Sequence, residues 1–259
     1  MPTVEDIFSE TFARFWKNWT FITSLRQVSE VALPIAEEAL TDIHRNFIEQ
    51  ASVDPEYSRM IVKLDGSSTP WDEDVKEMLR AGMTESAITN ARAAIDAASL
   101  FFAQSVLDDC ALSHLRACAL ANPADWDQLI GRKPVAFSSI SKPAEEIRTD
   151  LIKDKLDELE RESLLKKVDL LFQLCKPPAG FAPIRNYAFD RDRLENIDGT
   201  RHGIIHDNAM SEPLPKINED LEFISKTANF LLSLVNQKYD VRLNLARIFN
   251  LPAAAPPEE

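Results

Sequence analysis

The sequence predicts an all-α protein, on three observations. Six glycines among 259 residues are few for a β-rich or α/β chain, which needs them in its turns. Long, weakly punctuated stretches are rich in Ala, Leu, Glu and Lys, all strong helix formers. Within those stretches the apolar residues return at three- and four-residue steps, the period of a helix face. With 45% hydrophobic and 27% charged residues, the composition is that of an ordinary globular protein able to bury a core.

Taken in order, the first fifty residues read as two amphipathic helices. Val4, Ile7, Phe8, Phe12, Phe15, Trp16, Trp19 and Ile22 share one stripe of the first. The second spans about Gln27 to Ala51, with Val28, Val31, Ile35, Ala39, Ile43 and Phe47 on its apolar side, and Pro34 either kinks it or marks its start. After a looser stretch with a turn at Asp65-Gly66-Ser67-Ser68, Thr69-Pro70-Trp71-Asp72-Glu73 is a helix start: a capping threonine, proline next, then acids. That short helix is expected to end at Gly82. Thr84-Glu85 opens a longer one, which Asn122-Pro123 stops. Residues 123–143 read as irregular, with one helical turn around Trp126. A helix from Ala144 to Cys175 ends at Lys176-Pro177-Pro178-Ala179-Gly180. A short helix from Arg191 to Ile197 follows, and a last long one from about Pro215 to Phe249. The tail Pro252–Glu259 reads as disordered.

Composition excludes several classes. A net charge of −13 argues against a large non-specific nucleic-acid footprint, though not against a small basic cleft. No apolar run approaches the roughly 20 residues that span a bilayer, and Met1–Asp6 lacks a signal peptide's basic flank and apolar core. The expectation is a soluble cytoplasmic protein. Cys110, Cys118 and Cys175 have no metal-ligand spacing and read as buried small hydrophobes in a reducing compartment. Asp108-Asp109 reads as surface or a polar helix contact, and His44 and His114 as ordinary helix residues.

One hexapeptide stands out. Arg201-His202-Gly203-Ile204-Ile205-His206 holds two of the four histidines, with Gly199 just upstream. On an ideal helix residues five apart sit about 140° apart around the axis. Arg201 and His206 therefore meet on one ligand only if the segment bends or starts a helix, which Gly199, Gly203 and a capping Thr200 would allow. An always-charged guanidinium beside a titratable imidazole suits phosphate chemistry. Arginine stabilises charge on a phosphoryl oxygen, and histidine moves protons to and from hydroxyls. RNA carries its own nucleophile, the 2′-hydroxyl, so this pair suffices without a metal or cofactor.

Arginine, a polar residue, three residues and histidine, late in a helical bundle, resembles the signature of the HEPN superfamily. Asp207-Asn208, directly after the hexapeptide, looks similar too. The resemblance implies a helical core over about residues 84–250, with 1–83 a helical extension and 251–259 a tail. It also implies a homodimeric, metal-independent endoribonuclease leaving a 2′,3′-cyclic phosphate, of the kind found in toxin–antitoxin and phage-defence systems, with an antitoxin or other defence protein as a further partner. By that likeness Arg201 binds the scissile phosphate, His206 is the general acid and base, and His202 is the supporting polar residue.

Two other readings use the same residues. His202 and His206, four apart, share a helix face and could hold a metal with Asp207 or a second copy. Alternatively, Arg201 and His206 serve a non-catalytic helical module that holds a partner or a nucleotide.

Overall fold

The chain is described by a computed structural model over residues 3–54, 71–131, 142–206, 212–243 and 248, with the side chains of Ile205 and His206 excepted. It is all-α. The turn at 65–68, the start at Thr69-Pro70, Asp207-Asn208 and the tail lie outside those residues.

Where the sequence suggests two helices, α1 (Val4–Val53) is one helix of 50 residues with Pro34 inside it. Thr3 and Asp6 cap its start reciprocally: Asp6 N–H donates to Thr3 Oγ1 at 3.1 Å and Thr3 N–H to Asp6 Oδ2 at 3.0 Å. Thr23-Ser24-Leu25-Arg26 contains no glycine or proline, so nothing there stops the helix. Pro34 removes one backbone donor, a local loss that the turns on either side outlast.

Likewise α2 (Glu73–Ala121) runs straight through Gly82. Its cap is Asp72, whose Oδ1 accepts from Val75 N–H at 2.9 Å. An isolated glycine costs a helix about 1 kcal/mol, too little to end one held by packing on both sides. A 3₁₀ turn (Pro123–Trp126) and α3 (Asp127–Ile130) follow. The expected single helix from 144 to 175 is two, α4 (Ala144–Glu160) and α5 (Leu164–Cys175). Ser163 divides them by capping α5, accepting from Lys166 N–H at 3.4 Å. Next come α6 (Arg191–His206) and α7 (Ile217–Tyr239), which stops short of the expected Phe249 because Asp240 turns left-handed, at a φ of 48°, and ends it.

The helices build two compact units whose boundary falls inside α1, α2 and α6 rather than between elements. The first comprises residues 1–21, 100–200 and 218–259. Phe8, Leu107, Leu115, Trp126, Leu171, Leu194, Ile224, Leu231 and Leu234 are fully buried there. The start of α1 meets the end of α2 through Arg14, which donates to Ser113 Oγ and pairs with Asp109, both at 2.9 Å. Phe172, Phe181, Tyr187, Phe189 and Phe230 form an aromatic cluster with ring centroids 5.0–5.9 Å apart. Tyr187 and Thr227 share a hydroxyl hydrogen bond at 2.7 Å.

The first unit also buries polar groups. Lys167, 1% exposed, places Nζ 2.7 and 2.6 Å from the two carboxylate oxygens of Asp108. Gln104, also 1% exposed, has neither amide atom paired among the described residues. Gln104→Met keeps the shape and removes that desolvation cost. It is expected to raise unfolding stability by about 1 kcal/mol, read from the urea midpoint.

His114 lies against Phe8, with centroids 5.4 Å apart, and its Nε2 is 3.4 Å from Cys110 Sγ. Burial lowers its pKa to about 4. Between the unfolded value near 6.5 and about 4, the unfolded chain binds a proton that the folded chain refuses. Stability is therefore full above pH 6.5, falls by roughly 3 kcal/mol as pH drops to 4, and levels off below. Urea unfolding at pH 7 and pH 4.5 checks this: His114→Leu should lose less stability between the two than the unsubstituted chain does.

The second unit comprises residues 22–99 and 201–217. In it α1 and α2 run antiparallel, cross-linked by Arg26–Asp96 at 2.7 Å, His44–Thr84 at 2.9 Å and Lys76–Glu49 at 3.0 Å. Asp96 also accepts Leu214 N–H at 3.1 Å. Ile22, Ile48 and Ala51 are the buried apolar residues of α1 in this unit. The residues assigned by the sequence to its apolar side are the open ones: Val28, Val31, Ile35, Ile43 and Phe47 are 52–68% exposed. This stretch of helix is apolar over more than one face, and the face toward α2 is the other one.

Candidate functional site

The hexapeptide ends a helix that is well anchored at its start. Asp190 caps α6, its Oδ1 accepting from Arg193 N–H at 3.0 Å. Leu194 and Ile197 are buried. Arg191 grips Asp169 with two hydrogen bonds at 3.0 and 3.1 Å, which raises its pKa further, and it reaches Glu195 at 3.3 Å. Arg193 pairs with Asp220 at 3.2 Å while its guanidinium lies 4.9 Å over the Phe223 ring. Two of the four arginines from Arg185 to Arg201 are thus committed to acids of the same unit.

The expected bend does not occur. The helix continues through Gly199 and Gly203 to His206, and neither glycine has a positive φ. Thr200 is no cap; it sits mid-helix, its hydroxyl donating to Asn196 O at 3.0 Å. Two glycines cost this helix about 2 kcal/mol together, which the anchored turns before them withstand. On a regular helix Arg201 and His206 project about 140° apart, and His202 and His206 about 40° apart. Arg201 is half-buried, with its Nε shut off from solvent, and His202 is exposed; both interact with neighbouring groups. The His206 side chain lies outside the described residues. Within one chain the helical spacing therefore sets Arg201 well away from position 206 around the axis.

Among the described residues, no group of three or more His, Cys, Asp or Glu side chains is placed to share a metal ion. No described helix is long and apolar enough to cross a membrane.

Other chemistry-bearing groups meet elsewhere. In the first unit, Cys118 lies beside Cys175 and Tyr239, and the Tyr239 hydroxyl donates to Asp125 at 3.0 Å. Sequence reading left these cysteines apart because they lie on different helices. The neighbouring Cys175 thiol, and then burial, hold the Cys118 thiol well above its usual range. Burial, with the charge of Asp109, pushes Cys110 up to about 12. Protonated thiols are poor nucleophiles, so Cys110 and Cys118 act as core residues, and all three cysteines are buried and free of disulfides. Beside Asp125 a cavity of about 400 Å³ is lined by Gln128, Gln173, Lys176 and Lys238. In the second unit a cavity of about 590 Å³ is lined by Glu37, Thr41, Glu77, Arg80, Thr84 and Arg92, and neither Arg201 nor His202 lines it.

Compared with known protein families, curated proteins and solved structures, the chain matches no family model, no curated protein and no solved structure.

Proposed function

We propose that this chain is a metal-independent endoribonuclease of HEPN type, acting as a homodimer in a defence or toxin–antitoxin setting. The observation that carries the reading is the Arg201-His202-x-x-x-His206 pattern at the end of α6 in an all-α chain. Unbroken helical backbone from Arg201 to His206 separates the two around the axis, so in this reading the site combines Arg201 of one copy with His206 of the other. His206 takes the proton from the RNA 2′-hydroxyl, whose oxygen attacks the adjacent phosphorus. Arg201 neutralises the charge gathering on the phosphoryl oxygens. The 5′-oxygen leaves with a proton returned by a histidine, and a 2′,3′-cyclic phosphate remains. His202 supports the phosphate side of the site, and no cofactor takes part.

The experiment is incubation of RNA with the protein in EDTA, followed by identification of the product ends. Cyclic-phosphate ends that vanish in both Arg201→Ala and His206→Ala support the reading. Cleavage that survives either change, or that needs added metal, refutes it. A second reading, a non-catalytic interaction module, draws support from the open apolar face of α1.

A further inference from the structure

In the second unit, the chain beyond the hexapeptide is tied to α1 and α2 at one carboxylate. Asp96 of α2 divides its two oxygens between different partners. Oδ1 accepts from Arg26 Nη1 of α1 at 2.7 Å, and Oδ2 accepts from the Leu214 backbone N–H at 3.1 Å. The side chains of Arg26 and Asp96 are 15% and 12% exposed, so little water competes for either bond. Hydrogen bonds to an ionised acceptor are also about twice as strong as neutral ones.

The donor comes from a stiff piece of chain. Leu214 stands between Pro213 and Pro215, and proline has no backbone N–H. The Leu214 amide is therefore the one backbone donor of these three residues, and Asp96 takes it. Each proline fixes its own φ at about −65° and holds the residue before it extended. A strap this restricted has little further freedom to lose when it is held. On its other side the Leu214 carbonyl accepts from Ile217 N–H at 3.3 Å, at the start of α7. Pro213 lines a cavity of about 380 Å³ with Arg26, Arg92, Ile95 and Asp96, so the strap lies against both helices.

We propose that Asp96 is a positioning residue for the hexapeptide, holding the Arg201–His206 segment in place through the Leu214 strap. Residues 201–217 belong to the same compact unit as 22–99, and Leu214 lies eight residues beyond His206. Asp190 and Arg191 anchor the start of α6; Asp96 anchors the chain past its end. A guanidinium and an imidazole that must act on one phosphate tolerate little displacement, since a misplacement of about 1 Å can cost on the order of 100-fold in rate. That catalytic consequence rests on the RNA-cleavage reading, whereas the holding itself does not.

Hydrogen exchange of the full chain without RNA reads the holding. Two variants release the strap: Asp96→Ala, and Leu214→Pro, which removes the donor and leaves the Arg26–Asp96 pair intact. In both, exchange over residues 201–206 should quicken roughly tenfold or more, while α4 and α5 exchange as before. His44→Leu breaks the link to Thr84, another contact of α1 with α2 in this unit, and should leave 201–206 unchanged. Unaltered exchange in Leu214→Pro, or an equal rise in His44→Leu, overturns the proposal, and Leu214→Pro decides alone where Asp96→Ala loses its helical circular dichroism. RNA cleavage reads the consequence: kcat should fall roughly tenfold or more in both variants, with KM within about threefold. An unchanged kcat beside quickened exchange overturns the positioning role. Where the unsubstituted chain cuts no RNA, the nuclease reading alone falls, and exchange still decides whether Asp96 holds the segment.

Discussion

Asp108→Ala is expected to cost about 3 kcal/mol of folding stability, a large part of what holds a domain of this kind together. The substitution leaves the ammonium of Lys167 enclosed without the carboxylate that meets it at 2.7 and 2.6 Å. Lys167 has only 1% of its side chain in solvent, whereas Asp108 keeps 35%. Water that reaches the vacated carboxylate position offsets part of the loss, which sets the expectation at the low end of the range for a broken buried pair. Replacing both residues, as Asp108→Ala with Lys167→Met, should recover most of the stability, because the burial cost of the charge disappears along with its partner. Urea unfolding followed by helical circular dichroism reads both variants. A loss below about 1 kcal/mol for Asp108→Ala, the size of a surface pair, would show that the lysine is not confined as its burial indicates.

His206→Ala and Arg201→Ala are each expected to lower RNA cleavage at least 100-fold, the usual cost of losing a general acid–base or a charge-stabilising donor. The helical backbone at 201–206 adds a sharper expectation. When Arg201 of one copy works with His206 of the other, neither inactive variant is beyond rescue. Mixing equal amounts of the two yields mixed dimers as half the population, and each mixed dimer holds one complete site of two. Activity should then return to about a quarter of the unsubstituted level. A site assembled within one chain gives no recovery at any ratio, so the mixing experiment separates the two arrangements without a structure of the complex.

The fold class was legible because helical periodicity is a local property of the sequence, and it survives any arrangement of the helices. Punctuation was less so. Pro34 and Gly82 read as boundaries, yet each costs a few kcal/mol at most, and a helix with partners along its length absorbs that. The facing of α1 was illegible for a different reason. Its second half carries apolar residues around much of its circumference, and only the position of α2 decides which of them are covered. The contact of Lys167 with Asp108, and that of Cys118 with Cys175, join separate helices and leave no trace in spacing. As for the hexapeptide, its residues could be read and its bend could not. Glycine permits a break without requiring one, and the capped, ion-paired start of α6 carries the helix through.

The division of α1 between two compact units has a consequence for synthesis. Residues 22–99 contain the antiparallel α1–α2 pairing of the second unit and follow one another without interruption, so that pairing can form early on the ribosome. The first unit joins residues 1–21 to α7, near the other end of the chain. At about 5–20 residues per second, the aromatic amino-terminal turns emerge on the order of ten seconds or more before α7 does. Phe8, Phe15 and Trp19 meanwhile have only part of their final surroundings, which makes the nascent chain a natural client for chaperones that shield apolar segments.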